Sequence, residues 1–312
     1  MDAEPASAPA PLSCLIVGCG YVGTRLARHE AGRRPLLAVV RSGPSETGLG
    51  SVGILTMRFD LDDVTDPALQ PSLAAAARGA AIAYMVPPPD QGTTDPRVEN
   101  FLRQLGDSIP AVFIYLSTTG VYGDTGGAPV DETAPLAPTN DRSRRRVAAE
   151  SAASAWCAAR GVRYLVLRVP GIYGPHRLPL ERLQRREPAL RPEEAGPGNR
   201  IHVDDLVAAV LAAIDGPTAH GAYNVTDGDH ASTTAYLQAV AAAAGLPPPE
   251  LISRAVAAQR ISPGMLGFLL ESRRVDNRRM RDDLAVQLRY PQMQAGVLAS
   301  LAEMRMEDEV VP

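Results

Sequence analysis

The amino-acid sequence predicts an α/β protein in which a parallel β-sheet is covered by helices on both faces. Apolar runs of strand length alternate with longer helical patterns between residues 12 and 226. Elements that alternate in this way are joined by right-handed crossovers and form a parallel sheet. A glycine-rich turn also follows the first apolar run. At 312 residues the chain has room for such a domain and a smaller lobe.

The glycine-rich turn is Gly18-Cys19-Gly20-Tyr21-Val22-Gly23, after a strand predicted over 12–17. This G-x-G-x-x-G spacing between a strand and a helix is typical of a dinucleotide phosphate site. Gly18 turns the chain, Gly20 lets the backbone approach the pyrophosphate, and Gly23 lets helix and strand pack closely. The helix start supplies N–H groups and a positive dipole end. The alternative is a turn required only by backbone crowding. The predicted cofactor residues here are Gly18, Gly20, Tyr21, Val22 and Gly23.

The second strand, predicted over 35–40, ends at Arg41 and Ser42. A residue roughly 20 positions past the glycine turn contacts the ribose 2′ position in dinucleotide folds. An acid there accepts a hydrogen bond from the 2′-OH of NAD, whereas Arg41 suits a 2′-phosphate, with Ser42 donating alongside. These two residues therefore predict NADP, with NAD less favoured. The alternative is a solvated arginine at a strand end.

Two further strands are predicted over 54–59 and 80–86, separated by an Ala-rich helix over 67–78. Three prolines, Pro87–Pro89, end the fourth strand because proline cannot continue a hydrogen-bonded ladder. The chain therefore leaves the sheet at its carboxyl edge, where ligands of open α/β sheets bind. The predicted cofactor residues at this edge are Asp60, Leu61, Val86 and Pro87.

The chain continues with a helix over 96–106 and a fifth strand over 112–116, which runs into Ser117–Gly123. A helix over 142–161 and a sixth strand over 163–168 follow. Residues 182–199 are rich in Arg, Glu, Pro and Gly. We expect them to be an exposed, partly disordered segment over the ligand cleft.

The last part of the sequence is mostly helical in its patterns. Asp204 or Asp205 is the expected N-cap of an amphipathic helix, and a seventh strand is predicted over 222–226. Ser232 or Thr233 is expected to cap an Ala-rich helix that ends at Gly245. Further helices are expected over 273–288 and 296–306, with a break at Tyr290-Pro291.

Composition excludes several classes of partner. A net charge of −4 argues against a nucleic acid or an anionic membrane surface, so a small molecule remains. No stretch reaches the roughly 18 apolar residues of a membrane span.

The three cysteines lack a disulfide pattern, which favours reduced thiols and a cytoplasmic location. The five histidines lack metal-ligand spacing, so no metal site is expected. Residues 1–11 are predicted to be a flexible tail rather than a signal peptide.

Four stretches occur in one order: the glycine turn, Ser117–Gly123, Arg168–Pro175 and Asn199–Leu206. Together they resemble the extended short-chain dehydrogenase/reductases, the NAD(P)-dependent epimerase/dehydratase group. The resemblance implies a Rossmann-type doubly wound parallel sheet of about seven strands with a small C-terminal substrate lobe, and a homodimer. We expect residues 12–168, continued by 200–230, to form the cofactor domain. Residues 169–199 and 231–312 are expected to form the substrate lobe and C-terminal helices.

The resemblance also marks where this sequence departs from the family. Members with ordinary chemistry carry a Ser or Thr after the fifth strand, then a Tyr and a Lys four residues apart. Thr118 matches the first, with Ser117 beside it, but Arg142 stands in place of the Tyr and Arg146 in place of the Lys. An arginine is always protonated and cannot act as the general base. Arg142 could instead stabilise an oxyanion or bind a carboxylate or phosphate, and Arg146 could form a hydrogen bond with the nicotinamide ribose. The alternative is a solvated basic helix start.

Other residues are candidates for the missing proton donor. Tyr173, His176 and His202 lie in motifs that face the substrate cleft in relatives, and histidine titrates near neutral pH. The alternative is that His202 packs at a helix start and Tyr173 lines the cofactor pocket. Pro170, in the same motif as Tyr173, is assigned to the cofactor. Thr119-Gly120 replace the Asp-Glu of sugar-nucleotide dehydratases, so dehydration is not expected.

Three functions remain open. The first, which we favour, is an NADP-dependent oxidoreductase or epimerase acting on a small polar, anionic substrate whose oxygen binds Thr118. The second is a non-catalytic NADP-binding redox sensor or partner-binding protein, because the Tyr and Lys are absent. The third is redox-neutral chemistry on the same fold, such as isomerisation or cyclisation.

Overall fold

A computed structural model describes residues 13–63, 69–261 and 263–310 of the chain. Two compact units make up the chain: Met1–Leu116 with Ala148–Val166, and Ser117–Val147 with Leu167–Pro312. The strands are β1 (Cys14–Val17), β2 (Leu36–Val40), β3 (Leu55–Arg58), β4 (Ala81–Tyr84), β5 (Val112–Thr118), β6 (Pro129–Val130), β7 (Arg163–Val169), β8 (Gly171–Tyr173), β9 (Ala189–Leu190), β10 (Arg200–His202), β11 (Gly221–Asn224), β12 (Leu251–Ile252) and β13 (Arg274–Val275). The α-helices are α1 (Tyr21–Glu30), α2 (Gly43–Gly50), α3 (Leu69–Ala77), α4 (Pro96–Gln104), α5 (Asp141–Ala158), α6 (Leu180–Gln184), α7 (Val203–Asp215), α8 (Thr233–Ala244), α9 (Arg254–Arg260), α10 (Pro263–Leu270), α11 (Arg278–Asp283) and α12 (Met293–Val310).

A seven-stranded sheet has the order β11-β7-β5-β4-β1-β2-β3. Its pairings of β1 with β2 and β4, of β2 with β3, and of β4 with β5 are parallel. The predicted doubly wound α/β fold is therefore confirmed. The strand order reverses between β1 and β4, and this switch point is where open α/β sheets bind ligands. The glycine turn directly follows β1, so it lies at that point.

The first unit is built around strands that are buried on both faces. Every residue of β1 and β4 is buried, as expected for a parallel sheet covered by helices. Tyr84 stacks on Phe113 and Tyr115 and packs against Phe101 of α4, with ring centroids 5.3–6.1 Å apart. Such aromatic pairs add stabilisation beyond the area that they bury. This cluster fixes α4, whose first turn adjoins the candidate cofactor site.

The second unit has its own apolar cluster and short parallel strand pairs. Its buried residues come from β8 and the segment after it, from β9, and from α6, α8 and α12. The pairs β8 with β10, β9 with β12, and β6 with β13 join distant parts of the chain. The cluster consists of Tyr173, Leu178, Leu183, Ala189, Leu237, Val240, Ala241, Met293, Val297 and Leu301.

The prediction that 182–199 is an exposed segment is wrong for part of its length. This segment holds part of α6 and all of β9, which pairs with β12. Leu183, Ala189 and Leu190 are buried, at 3% exposure or less. The segment is rich in Arg, Glu and Pro, so its composition predicted exposure and its three buried apolar residues were missed. The predicted role of the segment as a cover of the cleft stays a prediction.

Other differences concern helix ends and short elements. His202, not Asp204 or Asp205, is the N-cap of α7, because its ring accepts the Asp204 N–H. The sequence reasoning missed α2, which contains three glycines. Only Arg278–Asp283 is helical within the predicted helix over 273–288. Ser232 caps α8 and Gly245 ends it with a left-handed φ of 67°, as predicted. Residues 1–12, which hold the predicted tail and the start of the first predicted strand, lie outside the described residues. So do residues 67–68, the start of the Ala-rich helix predicted over 67–78.

Candidate functional site

The glycine turn after β1 has the geometry that each of its glycines predicts. Gly18 has a φ of 94°, and a Cβ on it would lie 2.8 Å from the Val86 side chain. A Cβ on Gly23 would lie 2.6 Å from the carbonyl oxygen of Gly18. Glycine is therefore required at both positions, because a side chain there would clash with the rest of the fold.

Gly20 is different, because it is exposed and, apart from its chain neighbours, no described atom lies within 4 Å of the position that its Cβ would take. Its φ of −78° is accessible to any residue. The fold itself therefore does not require glycine here. A ligand that approaches the backbone would require it, and this is the observation that fits a bound pyrophosphate.

The start of α1 completes this phosphate cradle. Gly20 is the N-cap, no side chain caps the helix, and its first turn contains no acidic residue. Tyr21 is half-buried and Val22 is buried against the sheet. The positive end of the helix dipole therefore has no acidic side chain beside it in the first turn, which favours an anion.

Arg41 and Ser42 lie where β2 passes into α2, and both are exposed. Ser42 is the N-cap of α2, and its hydroxyl accepts the N–H of Ser45 at 3.4 Å. Arg58 on the neighbouring strand β3 directs its guanidinium towards this helix start, 4.0 Å from where a Cβ on Gly43 would lie. The start of α2 and the Arg58 guanidinium therefore lie close together, and Arg41 directly precedes this helix start in the chain. The sequence reasoning identified Arg41 but missed Arg58.

The loops after β3 and β4 form the next part of this edge. Leu61 is buried, and the Asp60 carboxylate accepts the N–H of Asp62 at 3.0 Å, which fixes a tight turn. Val86 packs against the glycine turn. Arg97 of α4 donates to the Pro87 carbonyl at 2.9 Å. The first unit therefore brings together the predicted cofactor residues on the loops after β1, β2, β3 and β4.

The second unit carries the candidate catalytic loop at the end of β5. Ser117 is buried, whereas Thr118 is half-buried. The Thr118 hydroxyl oxygen accepts the N–H of Gly120 at 3.1 Å and so caps a short 3₁₀ turn, Thr119–Tyr122. A hydroxyl that accepts in this way keeps its own hydrogen to donate to a second oxygen. Thr118 is therefore suited to bind a substrate oxygen.

The start of α5 holds the arginines that replace the expected Tyr and Lys. Arg142 is exposed and Arg146 is half-buried. Asn140 orders this helix start by accepting the N–H of Ser143 at 2.9 Å. Glu271 in turn accepts from Asn140 at 3.2 Å.

Glu271 also anchors the catalytic loop through Arg273. The Arg273 guanidinium donates to Glu271 at 2.6 Å and to the Thr119 carbonyl at 3.1 Å. These bonds tie the loop beside Thr118 to the helix start that carries Arg142. The sequence reasoning missed both residues, because they lie more than 120 positions away from the groups that they hold.

A buried polar network stabilises the turn at Thr119–Tyr122 by holding the side chain of Tyr122. Arg168 donates to the Tyr122 hydroxyl at 3.0 Å, and Tyr122 donates to the side-chain carbonyl of Asn224 at 2.7 Å. The backbone N–H of Asn224 donates to Glu132 at 2.7 Å. Burial raises the pKa of the Tyr122 hydroxyl, so it stays protonated and serves as a donor.

Tyr173 lies deep within the second unit rather than at its surface. It is 2% exposed and meets the rings of His202 and Tyr236 edge-on, at 5.2 and 5.8 Å. Its hydroxyl has no hydrogen-bond partner among the described residues. Burial raises its pKa far above the usual value, with the nearby Asp227 carboxylate adding to the effect. Tyr173 therefore keeps its proton at neutral pH.

His202 is fully engaged by its surroundings. Its Nδ1 accepts the N–H of Asp204 at 3.2 Å, so the ring proton is assigned to Nε2, which donates to Ser300 at 3.2 Å. Ser300 donates onward to the carbonyl of Gly296 at 2.6 Å. This arrangement matches the packing alternative for His202. Its role as a proton donor stays a prediction that the geometry does not favour.

The remaining candidates are placed as follows. His176 is exposed and its Nε2 lies 2.5 Å from the Glu307 carboxylate. Pro170 is half-buried between β7 and β8.

In the part of the chain that the structure describes, no group of three or more His, Cys, Asp or Glu side chains is placed to hold a metal ion. Within those same residues, no helix is long and apolar enough to cross a membrane.

A doubly wound sheet with a dinucleotide-type glycine turn, and with a hydroxyl residue at the end of β5, defines a nucleotide-binding α/β protein of the short-chain dehydrogenase/reductase type. The family model described as "NAD dependent epimerase/dehydratase family" matches residues 14–226, more than half of the chain. The chain belongs to this family.

Known proteins agree with this assignment. Protein YeeZ of Escherichia coli strain K12 is 25% identical over 244 residues, which cover 75% of this chain and 85% of YeeZ. A conserved protein of unknown function from Silicibacter pomeroyi is 28% identical with a TM-score of 0.78, over 94% of this chain and 99% of that one. The human epimerase family protein SDR39U1, solved with NADPH, shares the fold at 18% identity and a TM-score of 0.64, over 93% and 99%.

Proposed function

We propose that this chain binds NADP(H) and is an NADP-dependent oxidoreductase or epimerase acting on a small polar, anionic substrate. The observation that carries the cofactor assignment is Gly20, a glycine that the fold does not require, at an uncapped helix start. Family membership supports a nicotinamide cofactor. Solved structures of this fold include complexes with NADPH and with NAD, so the choice of NADP(H) rests on Arg41 and Ser42.

The residues that would hold the pyrophosphate and the 2′-phosphate of the cofactor lie on the first unit. Gly18, Gly20 and the start of α1 would hold the pyrophosphate, and Arg41 with Ser42 would hold the 2′-phosphate. When bound, the nicotinamide supplies or accepts a hydride. Thr118 would donate a hydrogen bond to the substrate oxygen, and Arg142 would attract a carboxylate or phosphate of the substrate.

The cofactor preference can be tested by titrating the protein with NADPH and NADH and following nucleotide fluorescence. We expect NADPH to bind more tightly, and Arg41→Gln to lose about tenfold or more in NADPH affinity with little change for NADH. Arg28→Gln, an exposed arginine on α1, is the matched control. Tighter binding of NADH by the wild-type protein would contradict the NADP assignment.

The catalytic proposal is tested at Thr118. With a substrate found by screening carboxylated and phosphorylated polyols, we expect Thr118→Val to lower turnover about a hundredfold, because one hydrogen bond to the reacting oxygen is lost. Thr118→Ser keeps the hydroxyl and should retain most of the rate. Thr218→Val, at an exposed position, controls for the substitution type. Undiminished turnover in Thr118→Val would remove Thr118 from the mechanism.

One observation favours the second candidate, a non-catalytic NADP(H)-binding protein. Two of the three candidate proton donors, Tyr173 and His202, are buried at 2% exposure or less. Hydride transfer to any substrate, detected as oxidation of NADPH, would exclude this alternative. The small-molecule partner, the homodimer and the cytoplasmic location stay predictions.

A further inference from the structure

The loop after β3 is joined to helix α4 by a two-pronged ion pair. Arg97 donates from Nε to one carboxylate oxygen of Asp62 at 2.7 Å and from Nη2 to the other at 2.6 Å. This paired geometry is the strong form of an arginine–carboxylate contact. Only 16% of the Arg97 side chain is exposed, so the pair is partly shielded from water.

Arg41 is a second cation near the same carboxylate. Its Nη1 is 3.8 Å from the Asp62 oxygen that Arg97 contacts at 2.6 Å. Two-thirds of the Arg41 side chain is exposed. Asp62 therefore has two cationic neighbours but directs its hydrogen bonds to Arg97. The Arg97 hydrogen bond holds the pKa of the Asp62 carboxyl below its usual range, so the group is charged at neutral pH.

We propose that Arg97 is a specificity-determining residue, which favours NADP(H) over NAD(H) by holding Asp62 and neutralising it, so that Arg41 stays available for the 2′-phosphate. This inference rests on the proposed function. Without Arg97, the Asp62 carboxylate would pair with Arg41 and would also repel the dianionic phosphate. Arg97 acts through Asp62 and does not itself touch the cofactor.

The charges around the start of α2 support this assignment. Arg41 precedes this helix, Arg58 lies beside its start, and Glu46 is in its first turn. Releasing Asp62 from Arg97 would add one unneutralised negative charge next to Arg41. The attraction of this region for a phosphate would then fall.

The experiment measures the ratio of NADH to NADPH dissociation constants in four proteins: wild type, Arg97→Met, Asp62→Asn and the double variant. We expect Arg97→Met to lower this ratio about two- to fivefold, which is the effect of one partly exposed ion pair. Asp62→Asn should raise it. The double variant should recover at least the wild-type ratio, because the released carboxylate is gone. The differences should shrink as salt is added.

Arg103→Met is the matched control, since Arg103 lies on the same helix and contacts Asn100. Its ratio should equal that of the wild type, and circular dichroism should show that all variants are folded. If Arg97→Met weakens both nucleotides equally, Arg97 acts through the Pro87 loop and the inference is overturned. An unchanged ratio in Arg97→Met also overturns it. A wild-type preference for NADH instead overturns the proposed NADP function itself.

Discussion

A Gly20→Ser variant is expected to fold like the wild type and to bind NADPH more than about a hundredfold less tightly. Apart from the chain neighbours of Gly20, no described atom lies within 4 Å of the position that a Cβ would take, so we expect the folded state to accommodate a small side chain. Serine is also a favoured N-cap residue, so α1 is not weakened. Its atoms would nevertheless occupy the space through which the pyrophosphate approaches. Losing two charge-assisted bonds from backbone N–H groups to phosphate accounts for an effect of this size.

Two further glycine substitutions separate binding from folding. Gly48→Ser, on an exposed glycine of α2 with open space around it, should change neither stability nor binding. Gly23→Ala should instead destabilise the fold by about 2 kcal/mol, because its Cβ would lie 2.6 Å from a backbone oxygen that cannot move aside. Urea unfolding and NADPH titration of the same samples give both quantities. Full NADPH affinity in Gly20→Ser would disprove the phosphate site.

The residues of the glycine turn could be predicted from the sequence because their roles depend on near neighbours in the chain. Gly18, Gly20 and Gly23 are read from their spacing after a strand, and Arg41 from its distance past the turn. The sequence could not predict which glycine is crowded and which is open. That difference depends on Val86 and on the Gly18 carbonyl, whose positions are set by the folded sheet.

Contacts between distant residues account for most of what was missed. Arg97 and Asp62 are 35 positions apart, and Tyr122 and Asn224 are 102 apart. No local pattern pairs such residues, because many arginines and acids could form equally good ion pairs. His202 was predicted as a candidate donor from its motif. Its two hydrogen bonds were not predictable, because one partner, Ser300, lies on a helix 98 positions later.

The family resemblance predicted more of the cofactor site than of the catalytic site, for a physical reason. Binding a pyrophosphate depends on backbone geometry, and the backbone of this chain keeps the family's form at Gly20. Proton transfer depends on particular side chains, and Arg142 and Arg146 cannot supply the chemistry of a tyrosine and a lysine. This sequence therefore keeps the backbone features of a cofactor site but lacks the side chains that carry out the usual reaction.

A Gly296→Ala variant is expected to be less stable than the wild type by about 2 kcal/mol. A Cβ on Gly296 would lie 2.8 Å from two ring carbons of Tyr173, and its hydroxyl would be closer still. Alanine favours a helix interior by about 1 kcal/mol over glycine, but overpacking a rigid core costs about 1–3 kcal/mol or more. Tyr173 cannot move aside easily, because the His202 and Tyr236 rings pack against it. Urea unfolding at fixed pH measures the loss.

Removing the Tyr173 hydroxyl should reverse part of that loss. Tyr173→Phe alone should change stability by less than about 0.5 kcal/mol, because the buried hydroxyl has no partner among the described residues to lose. Combined with Gly296→Ala, it should recover part of the stability by deleting the nearest atom. Gly267→Ala in α10, where the new Cβ meets none of the described atoms outside its own helix within 4 Å, should be neutral or stabilising. Equal stability of Gly296→Ala and the wild type would mean that α12 shifts away from Tyr173, and the close packing inferred for His202 and Ser300 would then be wrong as well.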